Sequence, residues 1–110
     1  MSSFTRTLVI AFAAGIATAA VALAATERTV GQKGKVFSES EIAIKKGETV
    51  VFVNDDTISH NIMSSTSGNT FNLGSQAPGL STPVTFDKSG EVTVICAIHP
   101  RMKMMVKVTD

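Results

Sequence analysis

The sequence predicts an all-β fold, a Greek-key antiparallel β-sandwich of about seven or eight strands. Three observations carry that prediction. Beyond residue 25, short segments alternate apolar and polar residues or are rich in β-branched ones, and turn-forming residues separate them at close intervals. No stretch there keeps a helical period over the length of a helix.

Taken in order, residues 1–24 read as a secretory signal. Arg6 supplies the positive start, an uncharged apolar run extends from Leu8 to Leu23, and Ala22-Leu23-Ala24 is a small-x-small cleavage site. The run approaches the length of a membrane span. It is alanine-rich, however, and a cleavage site ends it, so the expected product is residues 25–110, exported and not held in a membrane. Removing Arg6 from ten basic residues leaves nine against nine acidic ones, a balance that argues against a nucleic-acid partner.

Residues 26–35 are polar, contain Gly31 and Gly34, and read as a lead-in to the first strand. Residues 36–38 and 41–45 alternate as half-buried strands do, and Lys46-Gly47-Glu48 is a turn. Residues 49–53 are β-branched and aromatic enough for a central strand, which Asn54-Asp55-Asp56 ends. Residues 58–63, around His60, predict another short strand. Residues 64–81 carry Gly68, Gly74, Pro78 and Gly79 and read as a long surface loop anchored by Phe71 and Leu73. Residues 83–86 are strand-like, and Asp87-Lys88-Ser89-Gly90 reads as a hairpin turn. Residues 92–95 and 105–108 form the final pair, flanking a loop that opens at Cys96.

That loop carries the chemistry. A single domain this small usually needs a staple, and one cysteine cannot make an internal disulfide, so a metal is expected. Cys96, His99 and Met102 recur at every third position, and the only other histidine is His60. Two imidazoles, a thiolate and a weak axial thioether make the ligand set of a mononuclear type 1 copper site. Each residue has a plainer explanation: an inert buried cysteine, a packed histidine, methionines filling core gaps. A structural zinc site closes with four cysteine or histidine ligands, and this chain offers three. The combination decides for copper. Both histidines are used by that one site, and there is no glycine-rich phosphate loop or nucleophile elbow, so the chain is not expected to be an enzyme.

Further residues carry a family resemblance. Ile42-Ala43-Ile44-Lys45-Lys46-Gly47-Glu48-Thr49-Val50, then Phe52-Val53-Asn54-Asp55-Asp56 before His60-Asn61, and finally Cys96-Ala97-Ile98-His99-Pro100-Arg101-Met102 resemble the small cupredoxins. The likeness is to the plastocyanin, pseudoazurin and amicyanin group and covers about residues 35–109, with an amicyanin-like ligand loop. It implies a monomer with one copper per chain, carrying single electrons between a larger redox donor and acceptor in the periplasm through transient encounters. His60, Cys96 and His99 would be equatorial ligands, Met102 axial, and Asn61 would bond across to the Cys96 loop. Two residues depart from the pattern. Ala97 stands where many relatives have Ser or Thr, and Met104 where amicyanin-like chains commonly have glycine. By period 2, Met102, Met104, Val106 and Val108 share the inward side, so alternation alone does not choose the axial sulfur. Pro100, directly after the histidine, fits the shorter loop and favours Met102.

Two other readings stand beside electron transfer: copper binding and delivery, and a redox-inert immunoglobulin-like interaction module. For the carrier, the sequence predicts that His99 exposes a ring edge among Ile98, Pro100 and Pro78. Arg101 and Lys103 would rim that edge and favour an acidic partner.

Overall fold

The computed structural model describes residues 27–110. The expected signal over residues 1–24 lies outside these residues. Among those described, no helix is long and apolar enough to cross a membrane.

Nine strands form: β1 (Arg28–Lys33), β2 (Val36–Phe37), β3 (Glu41–Lys45), β4 (Thr49–Asn54), β5 (His60–Ser64), β6 (Phe71–Gln76), β7 (Ser81–Thr85), β8 (Gly90–Ile95) and β9 (Lys103–Thr109). One sheet has the order β2-β1-β4-β7 and the other β3-β9-β8-β5-β6. The all-β sandwich is the predicted one, but both sheets are mixed rather than antiparallel. β1 runs parallel to β4, and β3 runs parallel to β9.

The core follows from alternation. β4 buries Val50, Phe52 and Asn54 and leaves the residues between them half-buried. β9 buries Met104, Val106 and Val108 while Lys103 and Lys107 stay exposed, as period 2 requires. Val30 and Val84 join Val50 and Phe52 from one sheet, and Ile42, Ile44, Ile62, Val92 and Val94 face them from the other. Phe52 and Phe86 are each 0% exposed, and burying one such side chain contributes about 1.5–3 kcal/mol. Phe86 also meets Phe71 edge-to-face at 5.8 Å.

Two strands arise where the sequence reads as irregular. β1 is polar, yet its backbone pairs with β4 from Arg28↔Val50 to Gln32↔Asn54, and only Val30 and Gln32 need point inward. β6 lies within the expected 64–81 loop. It pairs with β5 across a register shift between Asn61 and Met63, and Gly74 takes φ 71°. In both, main-chain pairing supplies the order that side-chain pattern does not signal.

The turn at 87–90 is not a hairpin, because β7 belongs to one sheet and β8 to the other. It carries the chain across the sandwich. A tight hairpin does form at Gly34-Lys35, between the paired Lys33 and Val36, with φ of 62° and 60°. Positive φ at both central residues matches the twist of the flanking strands.

The topology gathers one set of connections at one end. β1 and β4 run parallel, so the β1–β2 hairpin tip lies at the end where β4 stops and β5 begins. The antiparallel pairings of β4 with β7, β5 with β6, and β8 with β9 bring the 77–80 turn and the 96–102 loop to that same end.

Candidate metal centre

β4 ends at Asn54 and β5 starts at His60, and the loop between them is pinned. Asn54 Nδ2 donates to the Ile58 and Gln76 carbonyls, both at 2.9 Å, and Asn54 Oδ1 accepts from Asp56 N at 2.9 Å. This local turn aims Asp56 Oδ2 at His60 Nε2, 2.9 Å away. A carboxylate only accepts, so in the neutral imidazole the ring proton sits on Nε2 and Nδ1 keeps its lone pair. His60 Nδ1 lies 3.9 Å from Cys96 Sγ.

Asp56 is the functional residue that the sequence reading missed. It was legible only as a turn former, and nothing in the sequence separates it from neighbouring Asp55. Its carboxyl is held down to about 2, first by the bond with His60 and then by the backbone N–H groups of Lys35 and Thr57.

The other donors come from the 96–102 loop between adjacent strands β8 and β9. Met102 N donates to the His99 carbonyl at 2.8 Å, and Cys96 N donates to the Met102 carbonyl at 3.1 Å. These two bonds close the loop on itself. His99 Nδ1 lies 4.0 Å from Cys96 Sγ, and the two imidazole rings meet edge-on with centroids 5.1 Å apart. The ligand atoms of His60, Cys96 and His99 all lie within 4.8 Å of one another; the first two residues are buried and His99 is half-buried.

Asn61 joins the two halves. Its backbone N–H donates to Cys96 Sγ at 3.2 Å, and its Oδ1 accepts from Ala97 N at 3.2 Å. Its Nδ2 donates to Asn72 Oδ1 at 2.9 Å and to the Gly74 carbonyl at 2.7 Å. The bridge expected from Asn61 therefore forms, and the Ala97 backbone suffices for it.

The arrangement suits a soft ion. Bonds of roughly 2.0 Å to nitrogen and 2.3 Å to sulfur, in a trigonal plane, put each nitrogen about 3.7 Å from the sulfur. The 3.9 and 4.0 Å spacings fit that plane. No fourth cysteine, histidine or acidic donor joins the cluster among the described residues, as a closed zinc site would require. Met102 and Met104 are both buried, at 1% and 2% exposure. Burial does not separate them, and they differ in place along the chain. Met102 belongs to the closed loop, whereas Met104 sits within β9 opposite Val94.

His99 borders a depression of about 470 Å³ lined by Lys35, Val36, Ile98, Pro100 and Arg101. Pro78 does not line it. The β1–β2 hairpin forms that wall instead, because the parallel pairing of β1 with β4 brings its tip to this end. Val36 and Ile98 are 60% and 52% exposed.

Comparison with known proteins agrees with the geometry. The family of copper binding proteins, plastocyanin/azurin family, matches residues 24–109. Methylamine utilization protein MauL of Methylorubrum extorquens is 29% identical over 105 residues, which is 94% of this chain and 92% of the relative. Amicyanin from Paracoccus versutus superimposes with a TM-score of 0.67 at 27% identity, covering 76% of this chain and 82% of that one. The Cu-containing nitrite reductase of Thermus scotoductus gives a TM-score of 0.71 at 29% identity over 77% of this chain. This chain spans only 23% of that enzyme.

The Asp56 contact sets an acid response in the copper-free protein. Its carboxyl is depressed, so the stability it contributes is present above its ordinary value of 3.8 and is lost as pH falls through about 2. Acid unfolding of the wild type should steepen in that window relative to Asp56→Asn, followed by circular dichroism. Identical curves would show that Asp56 is not coupled to folding.

Proposed function

Since this chain belongs to the plastocyanin/azurin family of copper-binding proteins, we propose that it is a one-electron carrier with one type 1 copper held by His60, Cys96, His99 and Met102. The observation that carries this reading is the convergence of two imidazole Nδ1 atoms on one buried thiol, at 3.9 and 4.0 Å. Copper bound there supplies a one-electron Cu(II)/Cu(I) couple.

The residues around it serve that couple. Asp56 fixes the His60 ring and its tautomer, and Asn61 N–H donates to the sulfur. The closed loop holds Cys96, His99 and Met102 against rearrangement. Ligands held this way suit electron exchange, in which little should move, better than release of the ion to an acceptor.

The chain acts as a carrier rather than as an enzyme, and the family's copper chemistry here uses both histidines of the sequence in one site. Export completes the reading: residues 1–24 are removed as a signal, and residues 25–110 work in the periplasm as a monomer. The depression beside His99 is where a redox donor or acceptor docks. Its lining includes Lys35 and Arg101 and no acidic residue, so an acidic partner is favoured.

Three measurements test this. The mature protein with one equivalent of Cu(II) should show an intense thiolate charge-transfer band in the visible; a Cys96→Ala variant that kept the band would refute the site. Met102→Gln should shift the reduction potential and spectrum while Met104→Gln leaves them near wild type, and the opposite pattern would make Met104 the axial ligand. Electron exchange with an acidic partner should slow as salt rises past about 0.1 M, where the screening length is about 10 Å. Rates indifferent to salt would remove the electrostatic steering.

A further inference from the structure

The inward-facing row of the sandwich changes character along its length. Away from the metal end it is Val30, Val50 and Phe52; at that end it becomes Gln32, Asn54 and Gln76, all buried. Gln76 is 2% exposed and spans the two sheets. From β6 its Nε2 donates to the Phe52 carbonyl at 2.9 Å, the Leu80 carbonyl at 3.0 Å and Thr82 Oγ1 at 3.3 Å, while its Oε1 accepts from Gln32 Nε2 at 2.7 Å. The two carbonyls only accept, so they fix which way the carboxamide faces.

Two routes lead from Gln76 to the metal centre. The first is register: Gln76 lies opposite His60 in the β5–β6 pair, so anchoring one end of β6 anchors the residue bearing the first imidazole. The second runs through Asn54, whose Nδ2 donates to the Gln76 carbonyl and whose Oδ1 accepts from Asp56 N. Asp56 in turn holds His60 Nε2. Replacing both partners of a buried hydrogen bond with apolar groups of the same shape is close to neutral. The bond between Gln32 and Gln76 therefore adds little to stability by itself.

We propose that Gln76 is a positioning residue for the copper centre: it clamps β6 to the opposite sheet and so sets the orientation of His60. The inference rests on the reading of His60 as a copper ligand. Gln32 is the lesser member. Its loss leaves the Gln76 bonds to Phe52, Leu80 and Thr82 intact.

Three variants separate positioning from simple core packing. Gln32→Leu should lower thermal stability but keep the wild-type charge-transfer spectrum and potential. Gln76→Leu should lower stability and also alter the spectrum, with copper affinity weakened about tenfold. In Gln32→Leu/Gln76→Leu the Gln32–Gln76 bond is lost from both sides, so the double variant should be no less stable than Gln76→Leu while spectrum and potential stay shifted. In copper-free protein, NMR should show faster solvent exchange of the His60 Nε2 proton in both Gln76 variants than in wild type. A wild-type spectrum and a wild-type His60 proton in the double variant would overturn the proposal, as would equal spectral changes in Gln32→Leu. Failure of both Gln76 variants to fold would overturn it too, by making Gln76 a requirement of the fold itself. The proton exchange is read without copper, so it still decides the matter if the wild-type chain forms no thiolate–copper band.

Discussion

The centre depends on a gap between two strands and on the residue that bridges it. β5 and β8 pair at Met63↔Ile95. Past that point, toward the metal end, Asn61 takes over, giving its N–H to Cys96 Sγ and its Oδ1 to the Ala97 amide. A gap with no bridge would leave the thiol and His60 free to drift apart. Asn61 holds the separation at the spacing a soft metal needs, and its own carboxamide is locked by Asn72 and Gly74. Because the bond to Ala97 uses the backbone amide, it forms with no hydroxyl after the cysteine.

Around that bridge, the polar residues form connected sets rather than isolated pairs. Asn54 serves Ile58, Gln76 and Asp56 at once, and Asp56 takes hydrogen bonds from Lys35, Thr57 and His60. Buried polar groups cost free energy when unpaired, so a set of this kind tolerates few alternative arrangements. The apolar half of the sandwich supplies most of the folding drive, and the polar half supplies the alignment. On β1 and β4 the division follows the strand direction: their buried residues run from Val30 to Gln32 and from Val50 and Phe52 to Asn54 as they approach the centre.

The same topology shapes the outer surface. Val36 comes from the β1–β2 hairpin and Ile98 from the ligand loop, yet they border one depression beside His99. Lys35 reaches that depression because Gly34 and Lys35 turn the chain tightly there. The backbone of Lys35 also donates to Asp56 at 3.2 Å, so the hairpin that lines the depression touches the group holding His60.

Much of this was legible in the chain itself. Alternation in 41–45 and 105–108 marked strands and their buried faces, because a pleated strand turns every second side chain inward, and β-branched and aromatic content marked the strand at 49–53. The types and spacing of Cys96, His99 and Met102, with His60, named the chemistry, since few ions want that mixture of soft and borderline donors. Tertiary structure decided what side-chain pattern cannot encode. β1 and β6 exist because neighbouring backbones complete their hydrogen bonds, and β7 and β8 part company because the turn between them crosses the sandwich. Gln76 acquires its role only when the sheets close, because Gln32 and Phe52, distant in sequence, come within 3 Å of its amide; Asp56 meets His60 four residues on, through the turn that Asn54 sets.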